Sequence, residues 1–216
     1  MVQEGGPPMS GIKTCIDSSA RMGALVRVGN GTFIGAYTLI GIPSLSVGEG
    51  EVVIGKDCEI LHHVVIEPGA NLGDRVHVDH FCRVGSGSLI GNDTRILYGA
   101  RVHENVVIGE NCRIAGNCPD MTKIGNHVTH MGRINHSYNF PFEDWDGPSE
   151  IAATVEDCVV IGANALLIGN IRIGRNTFIA PGEIIRRDIP PDSFCSRSQI
   201  RHLPNWPAII KLLPTL

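Results

Sequence analysis

The side chains best suited to acid–base chemistry in this chain are its nine histidines. A neutral imidazole, with a pKa near ~6.5, accepts a proton at neutral pH and so serves as a general base. His136 follows Asn135 in the segment MGRINHSYNFPFEDWDGPSEIAAT, which holds four of the eleven aromatic residues. We therefore expect a folded flap that excludes water and shapes a pocket, with Tyr138, Phe140 and Trp145 contacting a substrate.

These residues lie in a chain that repeats every six positions. Apolar anchors recur at every sixth residue over 16–40, 54–114 and 155–185, with a slip of register near 117–123. Glycine often follows the anchor directly. A small or β-branched residue stands four positions after each anchor, and Glu183 is the one exception. The period predicts a solenoid of short, similar units.

A period of six favours short strands joined by corners. The small residue and the next anchor are two apart, so in an extended segment both point to the same side. We expect the glycine after the anchor to supply the positive φ of a corner. Stacked coils would bury a ladder of anchors, one of them His130. Four cysteines at small inward positions are expected to be core thiols, namely Cys58, Cys82, Cys112 and Cys118.

The pattern [Ile/Val/Leu]-Gly-x-x-[small]-x resembles the hexapeptide repeat of the left-handed parallel β-helix acyltransferases. The resemblance implies an all-β, left-handed parallel β-helix with three hexads in each coil, assembled as a homotrimer. The expected organisation is a lead-in at 1–15, a β-helix at 16–190 with loops inserted at 42–53 and 131–154, and a capping tail at 191–216. The second loop is expected to protrude, and the tail to form a short helical turn.

Two segments resemble sequences that carry the catalytic base in this superfamily. Asn135-His136, followed by aromatic residues and Pro141-Phe142, is similar to the Asn-His…Tyr-Pro-Phe loop of the xenobiotic acetyltransferases. The resemblance implies that His136 is the general base. His80, in VDHFC, resembles the His-x-Cys hexad of lipid A-type and amino-sugar acyltransferases and is the rival base. His130 is placed to orient His136 or to contact the substrate. Corner or outward positions that face solvent are expected for His62, His63, His77, His103 and His127.

The end of the repeat resembles the C-terminal signature of acetyl-CoA-dependent members. This part of the chain reads VIGANALLIGNIRIGRNTFIAPGEIIRRDIPP. The resemblance implies that acetyl-CoA is the acyl donor. It places Ala163 and Pro181 along the pantetheine arm and Arg186, Arg187 and Arg201 near the nucleotide phosphates, where guanidinium groups suit phosphate oxygens.

Composition argues against several classes of protein. The 18 basic and 22 acidic residues give a formal charge of −4, whereas a nucleic-acid binder carries a basic excess. No apolar run is long enough for a membrane span, and the start MVQEGGPPMSG does not read as a signal peptide. The seven cysteines contain no CxxC pair, so a disulfide framework or zinc ribbon is not indicated. We expect a cytoplasmic protein that binds neither nucleic acid nor membrane.

Three functional hypotheses remain open at this point. The first is an acyltransferase that acts on a hydroxyl or amine of a sugar, a nucleotide-linked amino sugar or an antibiotic. The second is a metalloenzyme like the γ-carbonic anhydrases, whose His-x4-His pair is absent here, so no metal is expected. The third is a non-catalytic β-helix that serves as an assembly or binding module.

Overall fold

The chain forms a three-sided solenoid of parallel β-strands. The computed structural model describes residues 13–45, 47–136 and 152–203. Successive strands pass from sheet A to sheet B to sheet C, and the next coil then begins on sheet A again. Side chains of all three sheets meet in one continuous core.

Sheet A contains β1 (Cys15–Ile16), β4 (Phe33–Ile34), β7 (Glu59–Ile60), β10 (His77–Val78), β13 (Arg95–Ile96), β16 (Arg113–Ile114), β19 (Thr129–His130), β22 (Val160–Ile161), β25 (Phe178–Ile179), β27 (Ser193–Ser196) and β28 (Gln199–His202). Sheet B contains β2 (Arg21–Met22), β5 (Leu39–Ile40), β8 (Val65–Ile66), β11 (Arg83–Val84), β14 (Arg101–Val102), β17 (Asn117–Cys118), β20 (Arg133–Asn135), β23 (Leu166–Ile168) and β26 (Ile184–Ile185). Sheet C contains β3 (Val26–Val28), β6 (Val52–Ile54), β9 (Asn71–Leu72), β12 (Leu89–Ile90), β15 (Val107–Ile108), β18 (Lys123–Ile124), β21 (Thr154–Val155) and β24 (Arg172–Ile173).

The strand register confirms the all-β solenoid expected from the repeat. His77 pairs with Arg95, and Leu89 pairs with Val107, so one regular coil takes 18 residues, or three hexads. The three-sided arrangement is consistent with a left-handed β-helix. No helix occurs within 13–45, 47–136 and 152–203, and hence none there that is long and apolar enough to span a membrane.

The core combines apolar anchors with small groups that close hydrogen bonds. The anchors from Ile34 onward are buried, whereas Ile16 in the first described coil is 44% exposed. The Thr94 hydroxyl donates to the carbonyl of Gly109 at 2.8 Å, and the Cys112 thiol donates to that of Gly125 at 3.1 Å. The small inward residue thus satisfies a corner carbonyl of the next coil that would otherwise be buried unpaired.

The four predicted core thiols are buried. Burial raises the pKa of Cys82 and Cys112 to about 11 and that of Cys118 to about 12. Thiols with such raised pKa values stay protonated and unreactive at neutral pH. Cys118 differs from expectation in one respect, because it pairs with Val102 and so takes an anchor position.

The prediction that glycine after an anchor supplies positive φ holds at Gly41, with a φ of 63°, but fails in the regular corners. Gly55 and Gly91 have ordinary φ values, and the positive φ falls two residues later, at Asp57 and Asp93. Glycine is needed for a different reason: a Cβ on Gly91 would lie 2.5 Å from the carbonyl carbon of Gly109 in the next coil. The coils pack too closely at this position for any side chain.

The regular coil is broken by two insertions and by shortened corners; the second insertion precedes β21, where Lys123 pairs with Thr154, 31 residues on. Phe33 pairs with Glu59, 26 residues on, because extra chain lies between β5 and β6. The corners at 115–116 and 131–132 have two residues, whereas the regular corner at 61–64 has four. β20 lies inside the segment that the sequence pattern assigned to the second loop, and residues 137–151 of that loop lie outside the described residues.

The described part of the chain ends in an antiparallel hairpin of β27 and β28. Glu183, the exception to the small-residue pattern, accepts the backbone N–H groups of Arg197 and Ser198 at 2.5 and 3.0 Å. Its carboxylate therefore caps the hairpin turn. The helical turn expected from the last residues lies outside the described residues.

Candidate functional site

Two edges of the solenoid border sheet B. The A–B edge is the set of corners that join each strand of sheet A to the next strand of sheet B. The B–C edge is the set of corners that join sheet B to sheet C. The structure distributes the predicted site residues over both: His80, Ala163 and Pro181 lie on the A–B edge, and His136 lies on the B–C edge.

His136 is held at the B–C edge directly after β20. Ile134 of that strand is fully buried and pairs with Leu167, so the strand is fixed in sheet B. The His136 side chain is 9% exposed, and its Nε2 lies 3.1 Å from the carbonyl oxygen of Asp120. A carbonyl oxygen can only accept a hydrogen bond, so Nε2 carries the proton of the neutral ring. The basic nitrogen of neutral His136 is therefore Nδ1.

The shortened corners lie in the coils that lead to His136. A Cβ on Gly116 would overlap the carbonyl oxygen of Gly132, so the short path requires glycine. With two residues fewer in each corner, the A–B edge projects less in these coils. This indentation opens beside β14, β17 and β20.

A cavity of about 550 Å³ occupies the indentation. Its lining includes Arg101, Arg133, Asn117, Asn135 and Asn164. Both arginine side chains are exposed, and within the described part of the chain neither guanidinium forms an ion pair. The lining is therefore cationic and rich in amide groups, which suits a polar ligand with a negative charge.

A charged cluster lies on the B–C edge beside His136. Ligand-type atoms of His103, Glu104 and Asp120 lie within 4.8 Å of one another. The backbone N–H of Glu104 donates to Oδ1 of Asp120 at 2.9 Å. Arg83 forms ion pairs with Glu67, at 2.8 Å, and with Glu104. Asp120 thus connects the two features, because its carboxylate belongs to the cluster and its carbonyl accepts from His136.

The two carboxyls of the cluster have shifted pKa values. Burial raises the pKa of Asp120, and its hydrogen bond with Glu104 raises it further. Burial also raises the pKa of Glu104, but the hydrogen bond with Asp120 and the ion pair with Arg83 outweigh this effect and lower it overall. The sequence pattern had assigned His103 to a solvent-facing rung. In the sequence, Glu104 and Asp120 are 16 residues apart. This spacing predicts a contact between them only if the corner in between is known to be two residues shorter than in the regular coil.

His80, the rival base, belongs to a stack of rings on the A–B edge. Its ring stacks on His62 with centroids 5.1 Å apart, and its Nδ1 accepts the backbone N–H of His62 at 3.2 Å. Beside it, His63 stacks between Tyr37 and Phe81 at 5.2 and 5.0 Å. His80 and His136 therefore lie on different edges, and the structure does not bring the two candidate bases together.

His130 lies in the core and not at the surface. Its side chain is 0% exposed, and it pairs with the anchors Ile114 and Ile161. Nε2 lies 3.2 Å from the backbone carbonyl of Asn117, whereas the buried Nδ1 has no hydrogen-bond partner. Burial lowers the pKa of His130 to about 4. The ring is therefore linked to the cavity lining by its contact with the Asn117 carbonyl.

The expected cofactor residues occupy the last coils. Ala163 and Pro181 are exposed and stack one coil apart, with Gly182 N–H donating to the Ala163 carbonyl at 3.0 Å. Arg186 and Arg187 line a second cavity, of about 290 Å³, between β26 and the terminal hairpin. Arg201 is exposed on β28, and its guanidinium donates to the Gln199 side chain at 3.3 Å.

The flap aromatics Tyr138, Phe140 and Trp145 lie outside the described residues. The only metal-type group of three or more residues in 13–45, 47–136 and 152–203 is His103, Glu104 and Asp120. No trio of histidines of the kind used by γ-carbonic anhydrases is found there.

Comparison with known proteins identifies the repeat. Residues 87–118 match the family described as "Bacterial transferase hexapeptide (six repeats)". The same 18-residue register continues on both sides of that match. This part of the chain thus carries a repeat similar to that of the bacterial hexapeptide transferases.

The similar proteins share less than 30% sequence identity with this chain, and each match covers only part of the other protein. The bifunctional protein GlmU of Syntrophomonas wolfei is 26% identical over 213 residues, covering 91% of this chain and 44% of the relative. GlmU of a Polaromonas species is 29% identical over 160 residues, covering 69% of this chain and 33% of the relative. The chain thus spans less than half the length of these curated relatives.

Among solved structures, the UDP-N-acetylglucosamine acyltransferase of Francisella novicida has a TM-score of 0.48 at 17% identity, covering 87% of this chain and 67% of that one. A perosamine N-acetyltransferase variant from Caulobacter crescentus, in complex with CoA and GDP-perosamine, has a TM-score of 0.32 at 15% identity, covering 88% of this chain and 57% of that one.

Proposed function

We propose that the protein transfers an acyl group, in the first instance acetyl, from CoA to a hydroxyl or amine of a small molecule, with His136 as the general base. The observation that carries this proposal is the position of His136, which is nearly buried, oriented by the Asp120 carbonyl and adjacent in sequence to Asn135 of the polar cavity. The transferase description of the repeat family and the resemblance of the Asn135-His136 segment support the same reaction.

The reaction assigned to His136 is a proton transfer coupled to acyl transfer. Nδ1 accepts the proton of the acceptor hydroxyl or neutral amine as the oxygen or nitrogen attacks the thioester carbonyl carbon. The tetrahedral intermediate then collapses with cleavage of the carbon–sulfur bond. The CoA thiolate takes the proton from the imidazolium, and the ring returns to its neutral state. The Asp120 carbonyl keeps the ring in one tautomer throughout.

The cavity on sheet B supports a polar acceptor with a negative charge. Asn117 and Asn135 offer amide donors and acceptors for sugar hydroxyls, and Arg101 and Arg133 are free to pair with a phosphate. A nucleotide-linked amino sugar combines these features. An antibiotic without an anionic group would leave both guanidiniums without a counter-ion.

We also propose a homotrimer as the active assembly. His136 lies on the B–C edge, whereas Ala163 and Pro181, the residues expected along the pantetheine arm, lie on the A–B edge. Packing of neighbouring chains would bring one edge against another and join the base to the donor. Light scattering coupled to size-exclusion chromatography tests this, with three chain masses expected, and a monodisperse monomer that retains turnover would contradict it.

The reducing cytoplasm is the compartment that we propose. All seven cysteines are free thiols, and Cys15 among them is exposed. Exposed and buried thiols that are not paired are typical of proteins kept in a reducing environment.

The decisive experiment replaces each candidate base in the full chain. Acetyl-CoA and CoA are separated by chromatography after incubation with a panel of amino sugars and nucleotide-linked amino sugars. We expect H136N to lose about 10²–10⁴-fold in kcat. H80N tests the rival base. H127N is the matched control, because His127 is exposed on the edge between sheets C and A, and asparagine accepts its φ of 57°.

Two outcomes would contradict the proposal. Full turnover by H136N together with loss in H80N would move the base to the A–B edge. Absence of thioester consumption by the parent protein with every acceptor would favour a non-catalytic assembly or binding module.

A further inference from the structure

The side chains of the charged cluster on the B–C edge have no part in the proposed proton transfer, in which Asp120 acts only through its backbone carbonyl, yet their geometry is specific. Oε2 of Glu104 lies 4.0 Å from Nδ1 of His103, and Oδ1 of Asp120 lies 3.9 Å from the same nitrogen. These distances are too long for hydrogen bonds and too short for unrelated groups. Three side chains from two consecutive corners thus point at one small volume.

The tautomer of a neutral His103 ring is set by a contact on the opposite side of the ring. Nε2 lies 3.0 Å from Oδ1 of Asn117, and the Asn117 amide nitrogen donates to the carbonyl of Ile134 at 3.5 Å. The Asn117 oxygen is therefore the group that faces the ring, and Nε2 donates to it. In the neutral tautomer this leaves a lone pair on Nδ1, directed at the carboxylates of Glu104 and Asp120.

A second histidine–carboxylate pair shows what an ordinary contact looks like in this chain. His77 Nδ1 lies 2.7 Å from Oε2 of Glu59, a normal hydrogen-bond distance, on the outer face of sheet A. At His103 the two carboxylates stay more than 1 Å farther away. Ligand-type atoms of three side chains therefore converge without a direct hydrogen bond to the His103 ring nitrogen that faces them.

Acidic groups outnumber the guanidinium beside the cluster. Arg83 forms ion pairs with Glu67 and Glu104, and Asp120 adds a third carboxyl group next to Glu104. The cluster is half-buried and holds more acidic than basic side chains. A bound cation would compensate negative charge there and accept lone pairs from the three ligand-type atoms.

We propose that His103, Glu104 and Asp120 bind a divalent transition-metal cation, of the Mn²⁺ or Zn²⁺ class, at the B–C edge. The His103 nitrogen lies 4.0 and 3.9 Å from the two carboxylate oxygens, and the three ligand-type atoms lie within 4.8 Å of one another. A cation in their midst would lie about 2.3–2.5 Å from each, close to metal–ligand bond lengths. One imidazole and two carboxylates favour these cations over Mg²⁺ or Ca²⁺, which prefer ligand sets of oxygen alone.

The groups around the three ligands match those of a metal site. A ligating histidine usually donates its other ring N–H to an oxygen acceptor, as His103 does to Asn117. Glu104 is held by Arg83, and Asp120 is held by a backbone N–H. Three protein ligands leave coordination positions for water or for an anionic group of a ligand. The site does not depend on acyl transfer, and it departs from the expectation that no metal is bound.

Mn²⁺ is the probe of choice because the exposed Cys15 thiol would compete for Zn²⁺. The full chain is treated with a chelator, dialysed and titrated with MnCl₂ without acyl donor or acceptor, while electron paramagnetic resonance reports free and bound Mn²⁺. We expect one Mn²⁺ per chain. Pulsed measurements on the parent protein are expected to show nitrogen hyperfine coupling from His103, a readout that needs no variant.

Two variants locate the site. We expect D120N to bind Mn²⁺ at least about tenfold more weakly, although its amide oxygen still accepts from Glu104 N–H. H103Q is expected to lose the nitrogen coupling. H77Q is the matched control, because it removes a histidine–carboxylate pair outside the cluster and should bind as the parent does.

Several results would overturn the proposal. Absence of stoichiometric Mn²⁺ binding by the parent would mean that protons compensate the cluster, with His103 as an imidazolium. Binding without nitrogen coupling, or binding that is equal in D120N, H103Q and H77Q, would place the cation elsewhere. Because no substrate is present, the result is independent of whether His136 is a catalytic base.

Discussion

The two edges that border sheet B are built from the same structural position repeated in successive coils, but they carry different chemistry. On the A–B edge, rings stack from coil to coil, with His63 between Tyr37 and Phe81 and with Tyr98 edge-on to Phe81 at 5.7 Å. On the B–C edge the column is charged and leads to His136.

The difference shows how a solenoid confines a site. Each corner contacts the equivalent corner of the next coil. Similar side chains at these corners therefore pack on one another and leave no space for a cavity. The ring column ends at Tyr98, and the shortened corners with Gly116 and Gly132 follow. The cavity opens where the column stops, and the charged column runs beside it. The coils in which ring stacking ends on the A–B edge are thus also the coils that carry the charged cluster on the B–C edge.

The shortened corner at Gly116 separates these two arrangements, and its substitution is expected to have the largest effect on stability. In G116A the new methyl group would overlap the Gly132 carbonyl and crowd the His130 ring, with Nε2 at 2.6 Å. We expect a loss of about 3 kcal/mol in the free energy of unfolding, because backbone atoms cannot yield as a side chain does. Urea denaturation followed by circular dichroism measures it.

G48A is the control for that substitution. Gly48 lies in the first insertion, where an added Cβ meets no atom within 4 Å, and its φ is not positive. Its free energy of unfolding should change by less than about 0.5 kcal/mol. Equal urea midpoints for G116A and the parent protein would show that the coils separate readily at this corner. The close packing of coils would then not explain the cavity.

His130 beneath the cavity is expected to make the fold sensitive to acid. Its pKa is lowered by burial to about 4, whereas the unfolded chain has a histidine pKa near ~6.5. As the pH falls below 6.5 the unfolded state binds a proton that the core excludes, so stability decreases until the pH reaches the folded pKa. At pH 5 the loss is about 2 kcal/mol relative to pH 7.

H130I tests this origin of the acid sensitivity. Isoleucine matches the anchors Ile114 and Ile161 on either side and does not titrate. Urea denaturation at both pH values should show a smaller decrease for the variant, by about 2 kcal/mol. If parent and variant lose the same stability between pH 7 and pH 5, the acid sensitivity does not originate at His130.

The sequence pattern predicted the coils well and the site incompletely. A period of six identifies the anchors, and His130 lies at the anchor position that the pattern gave it, because burial of one residue in six dominates the energetics of a solenoid. The period does not predict the contact between Glu104 and Asp120, because this contact depends on a corner that is two residues shorter than the regular one. The reason for glycine after the anchor was also misjudged, since coil-to-coil spacing is a property of the assembled fold.

The smallest expected effects concern the ring column of the A–B edge. Phe81 has a φ of 59°, so its backbone conformation is unfavourable while its ring stacks 5.0 Å from His63. F81A loses the stacking, worth about 1 kcal/mol, and keeps the strain. F81G loses the same stacking but relieves the strain, so it should be more stable than F81A by about 1 kcal/mol. Tyr98 provides the opposite case, because its φ is not positive, and Y98G should be less stable than Y98A. Thermal denaturation of the four variants measures both differences. The same order at the two positions would mean that backbone strain does not oppose stacking on this edge, and that the column persists through ring contacts alone.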